Sequence, residues 1–166
     1  MTTLAPIAFF VYNRPKHTKI SIEALKKNKL AKESELIIFS DGPKNNNEDI
    51  KNVNEVRKII KEIEGFKQKK IVLNENNCGL YKNFVNGITK ICNEYNKVIV
   101  LEDDNETSKY FLNFINDGLN LYENDKAICS INGWFYPKKN NLDSYFFLKG
   151  GDTWGWGTWK RAWNEF

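Results

Sequence analysis

The residues best suited to chemistry lie in VIVLEDDNE, from Val98 to Glu106, where an apolar run leads straight into Glu102, Asp103 and Asp104. Adjacent carboxylates repel one another, and such crowding is unfavourable unless a positive charge sits against it. Hard divalent cations such as Mn2+ and Mg2+ take oxygen ligands. The protein commonly supplies only one or two carboxylates, and substrate phosphates complete the shell. A short acid cluster closing a buried strand meets that requirement. Side chains alternate along a strand, which predicts Glu102 and Asp104 on one side and Asp103 on the other. One or two of the three then reach a metal, and another is left for a sugar hydroxyl. A second reading competes with this one, since acids just ahead of a helix starting near Ser108 favour its N-terminus.

The elements that must position these groups follow from the apolar pattern. PIAFFVYN, ELIIFSDGP, KKIVLNEN and NKVIVLEDD read as buried strands, each closed by a turn signal. Between them the spacing predicts four helices. The first runs from His17 to Asn28 with Ile20, Ala24 and Leu25 on one face. The second runs from Glu48 to Ile63 with Val53, Val56, Ile60 and Ile63 at helical spacing, and Gly65 stops it. The third, from Gly79 to Tyr95, carries Leu80, Phe84, Ile88, Ile91 and Tyr95. The fourth, from Ser108 to Tyr122, carries Phe111, Phe114, Ile115, Leu119 and Tyr122.

Four strand–helix units in a row predict an α/β, Rossmann-like fold with a mostly parallel sheet and helices on both faces. Ligands bind such sheets beyond the carboxyl ends of the strands. Asn13 and Arg14, Asp41, Glu75 to Asn77, and Glu102 to Asp104 therefore converge on one rim. Beyond Lys126, KAICSING reads as a fifth strand and SYFFLKG as another short one. Trp156, Trp159 and Trp163 fall at i, i+3 and i+7, a helical stripe expected to pack on a core. Lys138 and Lys139 beside Asn140 and Asn141 read as a solvated turn, and His17 as a cap or surface residue. With no repeat and no linker, residues 1–166 read as one domain.

Composition narrows the function classes. A net charge of +4 fits an anionic small ligand and is too weak and dispersed for nucleic acid. Cys78, Cys92 and Cys129 lack CxxC spacing and His17 is the only histidine, which argues against a zinc site or a histidine-dependent hydrolase. The cysteines read as reduced, as in a cytoplasmic protein. No stretch has the pattern of a signal peptide or the about 20 apolar residues of a membrane span. Peripheral membrane association stays open. GxxxxGK[ST] is missing, and the glycines do not spell GxGxxG after the first strand. The 23 asparagines gather in turns such as Asn45, Asn46 and Asn47 and are given no functional weight.

Read together and in order, AFFVYNRP, IIFSDGP, NENNCGLYKNFVNGI, VIVLEDD and WGWGTWKRAW resemble a GT-A-fold glycosyltransferase. The similarity is to the N-acetylglucosaminyltransferase I group and to bacterial family 2-like sugar transferases of surface-polysaccharide synthesis. The resemblance implies that EDD is a version of the DxD motif. Asp104 would then be the Mn2+ or Mg2+ ligand, Asp103 would contact the ribose and Glu102 would lie near the donor sugar. Asp41 would read the imide edge of a uracil, and Arg14 would line the same nucleotide pocket, with Tyr81, Lys82 and Asn83 against the nucleotide. Apart from the resemblance, aromatic faces suit the CH groups of a pyranose, which assigns Trp154 or Trp156 to donor or acceptor contact. The implied reaction is inverting transfer from a nucleoside-diphosphate sugar, UDP-linked, to a glycan or lipid-linked acceptor at the inner membrane face. Inversion needs a carboxylate base. Within the chain that is Asp152; the family's base usually lies downstream of the glycine–tryptophan segment, so a base beyond Phe166 and a truncated chain are expected. Two rivals are a non-catalytic nucleotide-sugar-binding module and a sugar nucleotidyltransferase. The second is disfavoured because NRPKHTK has no glycine where those enzymes carry a glycine-rich loop.

Overall fold

The computed structural model describes residues 3–134 and 145–166. The first strand, β1 (Ile7–Val11), is buried at every position, as an apolar run covered on both faces must be. It is followed by α1 (Pro15–Lys26), β2 (Glu35–Ser40), α2 (Asn47–Lys61), β3 (Gln68–Leu73), α3 (Leu80–Tyr95), β4 (Lys97–Glu102) and α4 (Phe111–Leu121). The chain then adds β5 (Ser130–Asn132), β6 (Trp156–Trp159) and a short α5 (Lys160–Trp163). The strands form one sheet in the order β3-β2-β1-β4-β6-β5. Its first four strands run parallel, and β6 pairs antiparallel with both β4 and β5.

Alternation along the strands splits the core in two. Ile7, Phe9, Ile99 and Leu101 face α1, α2 and α4, packing against Leu25, Ile60, Leu112 and Ile115. Ala8, Phe10, Val98 and Val100 face α3, packing against Ile88, Ile91 and Cys92. Each such buried aliphatic side chain contributes about 1.5–3 kcal/mol. Helix ends are set locally: Asn46 caps α2 by accepting the Asp49 N–H at 2.9 Å, and Pro15 opens α1 where its missing donor costs nothing. The α/β architecture with helices on both faces matches the sequence expectation.

Several local expectations do not hold. Ile20 is 54% exposed, because the buried stripe of α1 runs through Thr18, Ser21, Ile22 and Leu25. The fifth strand is only Ser130–Asn132, and Tyr145 to Gly150 of SYFFLKG form no strand. The tryptophan segment is not a helical stripe. Trp156–Trp159 is strand β6, so Trp159 enters one core and Trp156 faces the other. Extended backbone won because β4 offers WGTW a free edge to pair with. The expected turn at Lys138 to Asn141 lies outside the described residues.

Candidate functional site

The sheet order fixes where a site can form. From β1 the chain moves outward to β2 and β3 on one side, then crosses back to place β4 on the other. The gap between the carboxyl ends of β1 and β4 is therefore the switch point at which α/β sheets bind ligands. A cleft of about 210 Å³ lies there, lined by Tyr12 and Arg14 after β1, Asp41 and Lys44 after β2, Asn77, Gly79 and Asn83 around the start of α3, and Glu102 and Asp103.

The acid cluster meets its counter-charge inside the chain. Arg14 forks across two carboxylates, donating one Nη to Asp103 Oδ1 and the other to Asp104 Oδ2 at 2.9 Å. Asp103 is 2% exposed, while Arg14 and Asp104 are each 43% exposed. The strand ends at Glu102, and a turn follows in which Asn105 N–H donates to Glu102 O at 3.1 Å. That turn swings Asp104 to the side of Asp103, so the predicted alternation across the three acids stops after Glu102. Ser21 Oγ donates to Asp103 O at 2.8 Å, tying α1 to the turn. Burial raises the Asp103 pKa, and Arg14 only partly offsets this. Glu102 is also raised, first by burial and then by Asp104 and Asp103.

Asp41 is buried, and donors surround it. Its Oδ1 accepts from Gly42 N–H at 2.9 Å, Cys78 N–H at 3.0 Å, Cys78 Sγ at 3.1 Å and Asn74 Nδ2 at 3.1 Å. Its Oδ2 accepts from Asn77 Nδ2 and Gly79 N–H, both at 3.0 Å. Burial alone would raise this carboxyl; the donors from Cys78, Asn74 and Gly42 override it and hold the pKa low. The loop it gathers needs its glycines. Gly79 sits at φ +83, a region side chains avoid. A Cβ on Gly42 would stand 2.3 Å from the Asn76 backbone. Arg57 on α2 clamps the same strand ends, donating to Asp41 O at 3.3 Å and Ser40 Oγ at 3.3 Å.

A second buried carboxylate, Asp49, ties together Tyr12 and Lys44 of the lining. Asp49 accepts from Tyr12 Oη and Asn13 Nδ2, both at 2.5 Å, and from Lys44 N–H at 2.6 Å. Burial works against its ionisation and these donors outweigh it, so its pKa is lowered. Tyr12 is pushed up to about 12 by burial and by Asp49.

The structure thus brings Arg14, Asp41, Asn83, Glu102 and Asp103 together on one cleft, with Asp104 at its edge through Arg14. It does not bring the others in. Tyr81 is 70% exposed and, like Lys82, is not part of the lining; Leu80 takes that place. Asp152 Oδ1 accepts the Thr153 N–H at 2.7 Å, away from the lining. Trp154 lies against Trp134 with ring centroids 4.5 Å apart, and Trp156 packs in the α3-side core near Trp163. Lys44, Asp49, Asn74 and Arg57 were not singled out in the sequence. The run SDGPK was the signal for Lys44. Asn74, an asparagine given no weight, holds Asp41 together with Asn77, which the sequence places on the rim.

Among the described residues no three His, Cys, Asp or Glu side chains form a ready metal cage. A cation whose shell is completed by a phosphate ligand needs no such cage, and the carboxylate of Asp104 at the cleft edge is an oxygen donor that could serve Mn2+ or Mg2+.

No family model matches the chain, and no curated protein matches it. Solved structures do. The mannosyltransferase PcManGT from Pyrobaculum calidifontis, in complex with GDP-Man and Mn2+, aligns at a TM-score of 0.51 and 10% identity over 78% of this chain. S. aureus TarS 1-349, in complex with UDP, aligns at a TM-score of 0.53 and 16% identity over 95% of this chain. The chain spans 35% and 47% of those two structures. The likeness is one of fold, and the fold is that of these glycosyltransferases.

Proposed function

We propose that the chain forms the donor-binding part of a glycosyltransferase, which moves a sugar from a nucleoside-diphosphate sugar to an acceptor hydroxyl. The observation that carries this reading is the pair Glu102 and Asp103 lining a cleft with Arg14 and Lys44 at the β1–β4 switch point, with Asp104 at its edge through Arg14. A diphosphate there meets two cations of the chain. Asp104 would hold Mn2+ or Mg2+, and the bound ion would offset charge on the leaving diphosphate. Asp103 is assigned to the ribose, oriented by Arg14. Base recognition is assigned to the loop that Asp41 organises rather than to Asp41 itself, because the Asp41 oxygens are already engaged. The neighbours carry GDP-Man and UDP, which supports a nucleoside-diphosphate donor without choosing the base.

Transfer itself is an attack by the acceptor oxygen on the anomeric carbon, with loss of the nucleoside diphosphate and inversion at that carbon. The acceptor proton goes to a carboxylate base. Asp152 remains the candidate within this chain, and its place away from the cleft lining favours a second reading, a chain that binds donor without transferring the sugar. A glycan or lipid-linked acceptor of bacterial surface glycan synthesis is the proposed partner. All three cysteines are free, which supports a reducing, cytoplasmic setting, with peripheral attachment to the inner membrane face.

Calorimetry with UDP- and GDP-sugars, with and without Mn2+, tests donor binding. A metal-dependent heat with either donor is expected. No heat with any nucleotide sugar would sink the reading, and intact metal dependence in Asp104→Ala would remove the metal assignment. Sugar release or transfer in the same samples separates enzyme from binding module.

A further inference from the structure

The fork of Arg14 carries an inference that rests on the donor-binding reading and goes beyond it. Asp104, the carboxylate that would hold a hard cation, accepts from Arg14 on Oδ2 at 2.9 Å. The other oxygen, Oδ1, accepts from Asn105 Nδ2 at 3.3 Å. A divalent cation and the guanidinium cannot both stand on that one carboxylate without like charges meeting. The two arms of Arg14 are not equivalent. One is held by Asp103, which is buried and also accepts the Tyr12 N–H at 3.4 Å. The other reaches an exposed carboxylate at the cleft edge. The Arg14 main chain is fixed as well, since its carbonyl accepts from both Thr18 N–H and Thr18 Oγ1 at 2.9 Å. Only the outer arm is free to let go.

We infer that Arg14 is an internal cation that occupies Asp104 until donor and metal arrive together. A metal entering alone has to displace the guanidinium arm and leave it unpaired beside a second positive charge. When a nucleoside diphosphate is present, its phosphates take up the released arm and complete the metal shell. Cation and diphosphate binding are thereby coupled through one side chain. The coupling is reciprocal, as any linkage between two ligands must be.

The test is Mn2+ titration of the full chain by electron paramagnetic resonance of the free ion, without nucleotide and with saturating UDP or GDP. In the wild type, the nucleotide is expected to tighten Mn2+ binding about tenfold or more, a typical coupling. Arg14→Gln is expected to bind Mn2+ alone more tightly than the wild type and to show a smaller gain from nucleotide. Arg14→Lys keeps a cation on Asp103 and cannot fork, so it is expected to show the same trend with less disturbance of the buried acid. Circular dichroism establishes that each variant is folded. Unchanged or weaker Mn2+ binding without nucleotide in a folded variant would overturn the inference. That arm reads the competition at Asp104 whether or not a nucleotide binds. Failure of both UDP and GDP to bind the wild type would instead overturn the donor-binding reading.

Discussion

A carboxylate buried as deeply as Asp41 is stable only because donors from three segments replace its water: Gly42 beside it, Asn74 at the end of β3, and residues 77–79 at the start of α3. Asp41→Asn would turn an amide N–H₂ toward donors that need an acceptor. The expected loss is about 2–4 kcal/mol in urea unfolding at neutral pH; a loss below about 1 kcal/mol would mean that the loop re-solvates freely. The pH dependence has a definite sign. The folded pKa of Asp41 lies below its ordinary 3.8, so its contribution is present above 3.8 and fades as pH falls through the lower, folded value. The gap between wild type and variant should narrow there. Glu102 behaves oppositely. Its folded pKa is raised above 4.5 by burial and by Asp104 and Asp103, so its ionised form weakens the fold at neutral pH. Glu102→Gln is expected to raise the melting temperature at pH 7, with the gain vanishing below pH 4.5. A gain that persisted in acid would show that charge was not its source. The sequence made Asp41 and Glu102 to Asp104 legible as polar strand ends. It did not show that Asp41 faces its own loop or that Arg14 answers the acids. Apart from the Gly42 N–H, those contacts join residues 33 to 90 positions apart, and no local pattern encodes them.

The parallel half of the sheet was readable because both-sided burial writes continuous apolar runs, and the helices between them carry periodic stripes. The antiparallel end was not. In WGTW the tryptophans match a helical spacing and a strand equally well over so short a run, and pairing with β4 decided between them. The strand also depends on a glycine that periodicity ignores. A Cβ on Gly157 would stand 2.6 Å from Ile115 Cγ2, 3.1 Å from Leu119 Cδ1 and 3.3 Å from Val98 O. The absence of a side chain lets α4 lie directly on β6. Gly157→Ala is expected to cost about 1–3 kcal/mol by overpacking, lowering the melting temperature by about 3–10 °C for a chain of this size. Gly151 has only Ser130 Oγ nearby, at 3.5 Å, so Gly151→Ala should leave the melting temperature within about 2 °C. Equal shifts in the two variants would contradict close packing of α4 on this strand.

Across the whole molecule, stability and binding are drawn from different places. The two apolar cores lie on the faces of the sheet, whereas the cleft sits beyond the strand ends and mixes three acids with Arg14 and Lys44. The chain is net positive at +4, so the proposed anionic donor would not be repelled at long range, and local recognition would be left to the cleft. Among the described residues no helix is long and apolar enough to cross a membrane. A ligand bound only by the folded state at a hundred times its dissociation constant adds about 2.7 kcal/mol. In a chain of this size that is a rise of about 5–10 °C. Nucleoside diphosphate with Mn2+ is expected to produce such a rise, and nucleotide alone a smaller one. Asp104 is half-exposed and outside both cores, so Asp104→Ala should leave the melting temperature without ligand nearly unchanged. The same variant should reduce the shift with Mn2+ to that of nucleotide alone. A full Mn2+-dependent shift in Asp104→Ala would place the cation elsewhere, while a large fall without ligand would mean that the acid turn supports the fold as well as the site.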